Sequence, residues 1–160
     1  MIKVDELREF RPGVRYKDGD GITLQSIQTV LQEEAQNMGV PVAFRSDEVK
    51  SGGFLNSSFE NCLVMYHPEH PDDYFKICIR VAHQGNYAFV SINDFGQSKQ
   101  VGKANRAEFA KQDRQGKTMS YKVGSMLSQG IMNIGMNKQK LEEEQMYYSC
   151  LWDLLDEVFS

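Results

Sequence analysis

YFKICIRVAHQGNYAFVSIND, residues 74–94, is the stretch that decides the fold. Its apolar residues recur at every second position, the period of a strand with one buried face. Gly85-Asn86 interrupts that pattern with the length and composition of a type II′ hairpin turn. Folding about the turn sets Val81 beside Val90 and Ile79 beside Ile92. One face then holds Phe75, Ile77, Ile79, Val81, Ala88, Val90 and Ile92. The other holds Tyr74, Lys76, Cys78, Arg80, Tyr87, Phe89 and Ser91, a mixed set suited to partial solvation.

Working upstream, residues 59–67 read as a further strand. Its charges and apolar residues match the next strand when Glu60 meets Arg80, Leu63 meets Ile77 and Met65 meets Phe75, a register that puts Cys62 opposite Cys78. Val42, Phe44 and Val49 suggest a short strand before Ser51-Gly52-Gly53. Before it, Leu24, Ile27, Leu31 and Met38 recur at helical spacing. Thr23 supplies an N-cap, and Gly39 with Pro41 a stop, so a helix is expected over 24–38. Residues 1–10 have a weak helical pattern that Arg11-Pro12-Gly13 ends.

Downstream, helices are expected near 103–112, 119–136 and 138–158. The second carries Ser120, Gly124 and Ser128 at four-residue spacing, which permits close helix approach. The last places Leu141, Tyr148, Leu151, Leu155 and Val158 on one stripe. The expectation is a single α+β domain over 1–160, with residues 1–21 partly irregular. Its order is α-β-β-β-β-α-α-α, an antiparallel sheet of three to four strands with helices on one face.

At 160 residues, 41% hydrophobic and 25% charged, the chain suits one compact domain and neither a disordered nor a collagen-like class. No apolar run reaches the roughly 18 to 20 residues of a membrane span, and the first residues lack a signal-peptide core, so no membrane contact and a cytoplasmic location are expected. Three widely spaced cysteines, Cys62, Cys78 and Cys150, fit reduced thiols better than a disulfide framework.

The net charge of −4 disfavours a broad nucleic-acid face. It is unevenly spread. Residues 96–117 carry six cations against two acids, and 137–160 two cations against six acids, two segments that attract each other within or between chains.

The sequence contains several sets of residues that could carry chemistry. His67-Pro68-Glu69-His70-Pro71-Asp72-Asp73 concentrates imidazoles and carboxylates in one turn. It reads first as a solvated acidic turn, with His67, His70 and Asp73 as metal-ligand candidates, because the spacing matches no established metal motif. Cys62, Cys78 and His83 contain a thiol and a base, but His83 lies on the order of 16 Å along the strand from Cys78. Gly96 to Lys103 stands where a phosphate loop belongs, yet five residues separate its glycines and Ala104 follows Lys103, so it departs from the nucleotide-hydrolysing pattern. Lys99, Lys103 and Arg106 remain anion-binding candidates near a helix start.

Five of the eight methionines fall within residues 119–146 and adjoin Tyr147, Tyr148, Trp152 and Phe159. Methionine adapts to irregular partners, and Trp and Tyr anchor interfaces. The leading expectation is therefore a non-catalytic interaction protein without cofactor or metal. It would act through its C-terminal helices, with Met146, Tyr147, Trp152 and Phe159 as contacts, and through the basic segment. A protein partner, including a second copy of the chain, is expected. The alternatives are an enzyme or a metal- or small-molecule-binding domain with a pocket between sheet and helices, and an anion or nucleic-acid binder using residues 99–117.

Overall fold

The computed structural model describes residues 1–96 and 138–160. In chain order the elements are β1 (Ile2–Lys3), a 3-10 turn (Val4–Glu6), β2 (Arg8–Lys17), α1 (Leu24–Met38), β3 (Ala43–Ser51), β4 (Ser58–Tyr66), β5 (Lys76–Gln84), β6 (Tyr87–Phe95) and α2 (Lys138–Phe159). The sheet and α1 belong to one compact unit, and α2 through Val158 to a second. The protein is thus α+β, and among the described residues no helix is long and apolar enough to cross a membrane.

The sheet corrects the expected architecture. It has six strands in the order β1-β3-β4-β5-β6-β2, and it is mixed: β1 runs parallel to β3, and every other pairing is antiparallel. The antiparallel sheet of three to four strands, with a helix first and helices on one face, does not describe it. The difference lies in the first 17 residues, which form both edge strands. Pro12 and Gly13 look like breakers, but β2 lies at the sheet margin and shifts register twice, between Glu9 and Arg11 and between Arg11 and Val14. An edge strand with bulges tolerates a residue that has no N–H to give.

The β5–β6 hairpin has the expected register, with Ile79 opposite Ile92 and Val81 opposite Val90. Its turn has Gly85 at φ 57° while Asn86 stays at negative φ, as type II′ requires. The β4–β5 register is two residues away from expectation: Leu63 meets Ile79, Val64 meets Cys78 and Met65 meets Ile77. A slip of two preserves which side chains share a face, so burial alone does not distinguish the two registers. Charge matching misleads, because the Arg80–Glu60 contact is made diagonally, with Nη1 3.4 Å from Oε2.

Helix α1 begins and ends as its sequence directs. Thr23 Oγ1 accepts from the Ser26 N–H at 3.0 Å while Ser26 Oγ accepts from the Thr23 N–H at 2.9 Å, and Gly39 closes the helix at φ 70°. It lies against β4 and β5, and Ile27, Leu31 and Ala35 are buried. Full burial of a side chain such as Leu31 contributes about 1.5–3 kcal/mol.

The connection from β1 to β2 shapes the sheet. Lys3 and Arg8 are five residues apart yet lie on opposite edges. In a flat sheet five inter-strand gaps would separate those edges by about 24 Å, whereas five residues reach at most about 18 Å, less through a 3-10 turn. The sheet therefore curls. Leu7, at the end of the crossing segment, packs on a cluster of Ile2, Val49, Cys62, Val64, Cys78 and Phe95 that occupies one face. A segment that crosses a face in less than its flat width runs over the hollow side, so this face is the inside of the curl.

Candidate functional site

The turn after β4 is a closed local structure. The His70 ring stacks on Tyr74 with centroids 4.0 Å apart and planes 3° from parallel, and His67 meets both rings edge-on. His70 Nδ1 lies 3.0 Å from Asp73 Oδ2, and His67 Nδ1 accepts the Glu69 N–H at 3.1 Å. That hydrogen bond needs an unprotonated Nδ1. Burial, reinforced by the neighbouring His70, holds the His67 imidazole below its ordinary value. The structure thus brings His67, His70 and Asp73 together as a stacked, hydrogen-bonded turn. Among the described residues no group of three His, Cys, Asp or Glu side chains is arranged to hold a metal ion.

Cys62 and Cys78 are buried free thiols on the hollow face. They remain neighbours despite the register change, close enough for a side-chain hydrogen bond between the two thiols. That bond lowers the Cys62 thiol below its ordinary value against the effect of burial, with Arg80 and Arg45 assisting and Asp47 opposing, and it raises Cys78. His83 belongs to the opposite face of β5 from Cys78, so strand alternation separates it from both thiols. Thiol and imidazole do not assemble into a nucleophile and base.

Of the four aromatic and methionine contacts expected on the last helix, Met146 is exposed, Trp152 is partly exposed, and Tyr147 and Phe159 are buried. Lys99, Lys103 and Arg106, the small-residue stripe from Ser120 to Ser128, and the helices expected near 103–112 and 119–136 lie outside the described residues.

Two surfaces emerge, the first of which the sequence reading missed. The first is the tip of the β3–β4 hairpin. Ser51 and Ser58 form its last pair, their hydroxyls 2.7 Å apart, and Gly52 turns the chain at φ 88°. A Cβ at Gly52 would stand 1.9 Å from the Asn56 carbonyl oxygen, so the turn admits only glycine there. This tight loop holds Phe54 at 96% exposure and Leu55 at 89%, with Phe59 also exposed. No residue from 51 to 59 is charged. The available signal was Phe-Leu inside a Gly-Gly and Asn-Ser-Ser loop, where alternation assigns neither side chain to a core.

The second surface is a solvent-exposed part of the hollow face. Beyond the apolar cluster, β6 presents Tyr87 and Phe89, flanked by Arg15 and Lys17 of β2 and by Ala82 and Gln84 of β5. Arg80 stands deeper, donating from Nη2 to Asn93 Oδ1 at 3.1 Å.

No family model matches this chain, and no curated protein or solved structure matches it significantly.

Proposed function

We propose that this protein is a non-catalytic interaction protein, an adaptor or accessory factor, that docks by inserting the β3–β4 hairpin tip into an apolar cleft on a protein partner. The observation that carries the reading is the near-complete exposure of Phe54 and Leu55 on a loop closed by an obligate glycine. Each such side chain left in water forgoes about 1.5–3 kcal/mol that a cleft would recover. The tight turn also limits the conformational freedom lost on docking. Met146 and Trp152 on α2, and the basic segment containing Lys99, Lys103 and Arg106, are further contacts in this reading. Three free thiols suit a reducing compartment, and we place the protein in the cytoplasm.

The test replaces Phe54 by a photo-crosslinking phenylalanine analogue in cells. The expected result is a protein adduct of discrete mass that disappears when Leu55→Asp is added, and an adduct at twice the chain mass identifies a second copy as the partner. Labelling no stronger than that from the same probe at Asn86, on the neighbouring hairpin, overturns the proposal.

A further inference from the structure

Part of the hollow face sets solvent-exposed aromatic rings beside cations. Tyr87 and Phe89 lie on β6, an inner strand, yet are 38% and 39% exposed, their ring centroids 6.5 Å apart. Arg15 pairs across from Phe89, and its guanidinium carbon stands 5.5 Å from the Tyr87 ring centroid. Lys17 pairs with Tyr87 on the same side. Across from Phe89 on β5 is Ala82, whose small side chain leaves that flank of the ring open, and across from Tyr87 is Gln84.

The charges there oppose the chain's balance of −4. Arg15 and Lys17 flank the two rings, and Arg80 lies further along the face, engaged with Glu60; Glu9, across from Asn93, and Asp47, across from Cys62, also belong to this face. Aromatic faces beside cations in an open groove are the elements that hold a nucleobase by stacking and its phosphate by charge.

We propose that this groove binds a nucleotide unit, its base stacked on Phe89 and its phosphate against Arg15 and Lys17. The unit is either free or part of a single strand, and both carry the same chemistry of ring and phosphate. Stacking tolerates any base, so sequence preference is small. The site is separate from the hairpin tip, and neither proposal depends on the other.

The experiment measures fluorescence anisotropy of fluorescein-labelled dT12 and U12 with the full chain at 50 and 200 mM NaCl, with unlabelled ATP and AMP as competitors. Two phosphate contacts predict a slope of about −1.4 in log affinity against log salt for a single strand. Phe89→Ala should weaken binding roughly 5- to 150-fold, the usual effect of losing one stacked base. Phe89→Tyr should restore most of it, and Arg15→Gln should lower the slope by about 0.7. Leu55→Asp should leave binding unchanged. Displacement by ATP or AMP at concentrations equal to competing oligonucleotide assigns the site to free nucleotides, and displacement by oligonucleotide alone assigns it to a single strand. The proposal is overturned if folded protein binds neither the oligonucleotides nor ATP or AMP at 50 mM NaCl. Binding that survives Phe89→Ala in a variant with unaltered circular dichroism also overturns it.

Discussion

Removing the carboxylate of Asp94 should destabilise the fold more than any exposed ion pair would suggest. Arg8 Nε donates to Asp94 Oδ1 at 2.7 Å, and the side chains are 17% and 1% exposed, so both charges have largely left water. With charge centres about 4 Å apart, an effective dielectric near 20 gives about 4 kcal/mol of attraction. Asp94→Ala strands a buried guanidinium, whose Nη atoms also have no other partner. Breaking one side of such a pair costs about 3–5 kcal/mol. For a chain of this size that lowers Tm by roughly 6–20 °C. Arg8→Met removes the same contact from Asp94, which keeps its other interactions, and should cost less. The double variant, Arg8→Met with Asp94→Ala, should recover at least about 2 kcal/mol relative to the sum of the singles, because the Arg8 guanidinium is not stranded and the shared contact is lost only once. Urea unfolding of the four proteins at pH 7 supplies the cycle. Single variants costing under about 1 kcal/mol, the range of exposed pairs, or strict additivity would refute the reasoning.

Gly52→Ala should destabilise by more than about 1 kcal/mol, through positive φ and the clash with the Asn56 carbonyl, whereas Gly53→Ala, whose added Cβ meets nothing, should be near neutral; urea midpoints compare them. A thiol-titrating disulfide reagent should modify one cysteine per native chain, Cys150, and three in denaturant, since Cys62 and Cys78 are buried; rapid reaction of three native thiols contradicts that placement. Because burial and His70 hold His67 below its ordinary 6.5, the unfolded chain binds a proton that the folded chain does not in the window between that depressed value and 6.5. Stability from this group is therefore complete above about 6.5 and is lost as pH falls through the window. His67→Gln should flatten that slope in melts from pH 5 to 8, and NMR titration should place the His67 midpoint below 6.5.

Local signals in the sequence held where capping and turn residues carried them. The Thr23 cap, the Gly39 stop and the Gly85-Asn86 turn each specify backbone geometry within a few residues, and α1 and the β5–β6 register follow. The sheet edges were hidden because β2 finds its partner 86 residues away at Asp94, and nothing near Arg8 announces that pairing. Val4 and Leu7 mimic helical spacing, and Pro12 reads as a break until the strand is known to lie at an edge. The β4–β5 slip has a different origin: parity assigns faces but does not choose between registers two residues apart. For the candidate surfaces, the sequence marked Phe89 and Tyr87 as half of a mixed face, but their neighbours Arg15 and Lys17 arrive through the same distant pairing. Metal candidates were legible as a cluster; their mutual stacking with Tyr74 was not.

The pairing of β2 with β6 also sets a schedule for synthesis. Lys17 pairs with Tyr87, so 70 residues must be added after β2 before its first partner exists. At ribosomal rates of about 5–20 residues per second that interval is roughly 4–14 s. Throughout it, a ten-residue strand leaves the ribosome with its backbone donors and acceptors unclaimed by their final neighbour. Pro12 and the charges of Arg8, Glu9, Arg11, Arg15 and Lys17 then act as guards against pairing with another nascent chain, a service they render before the fold exists.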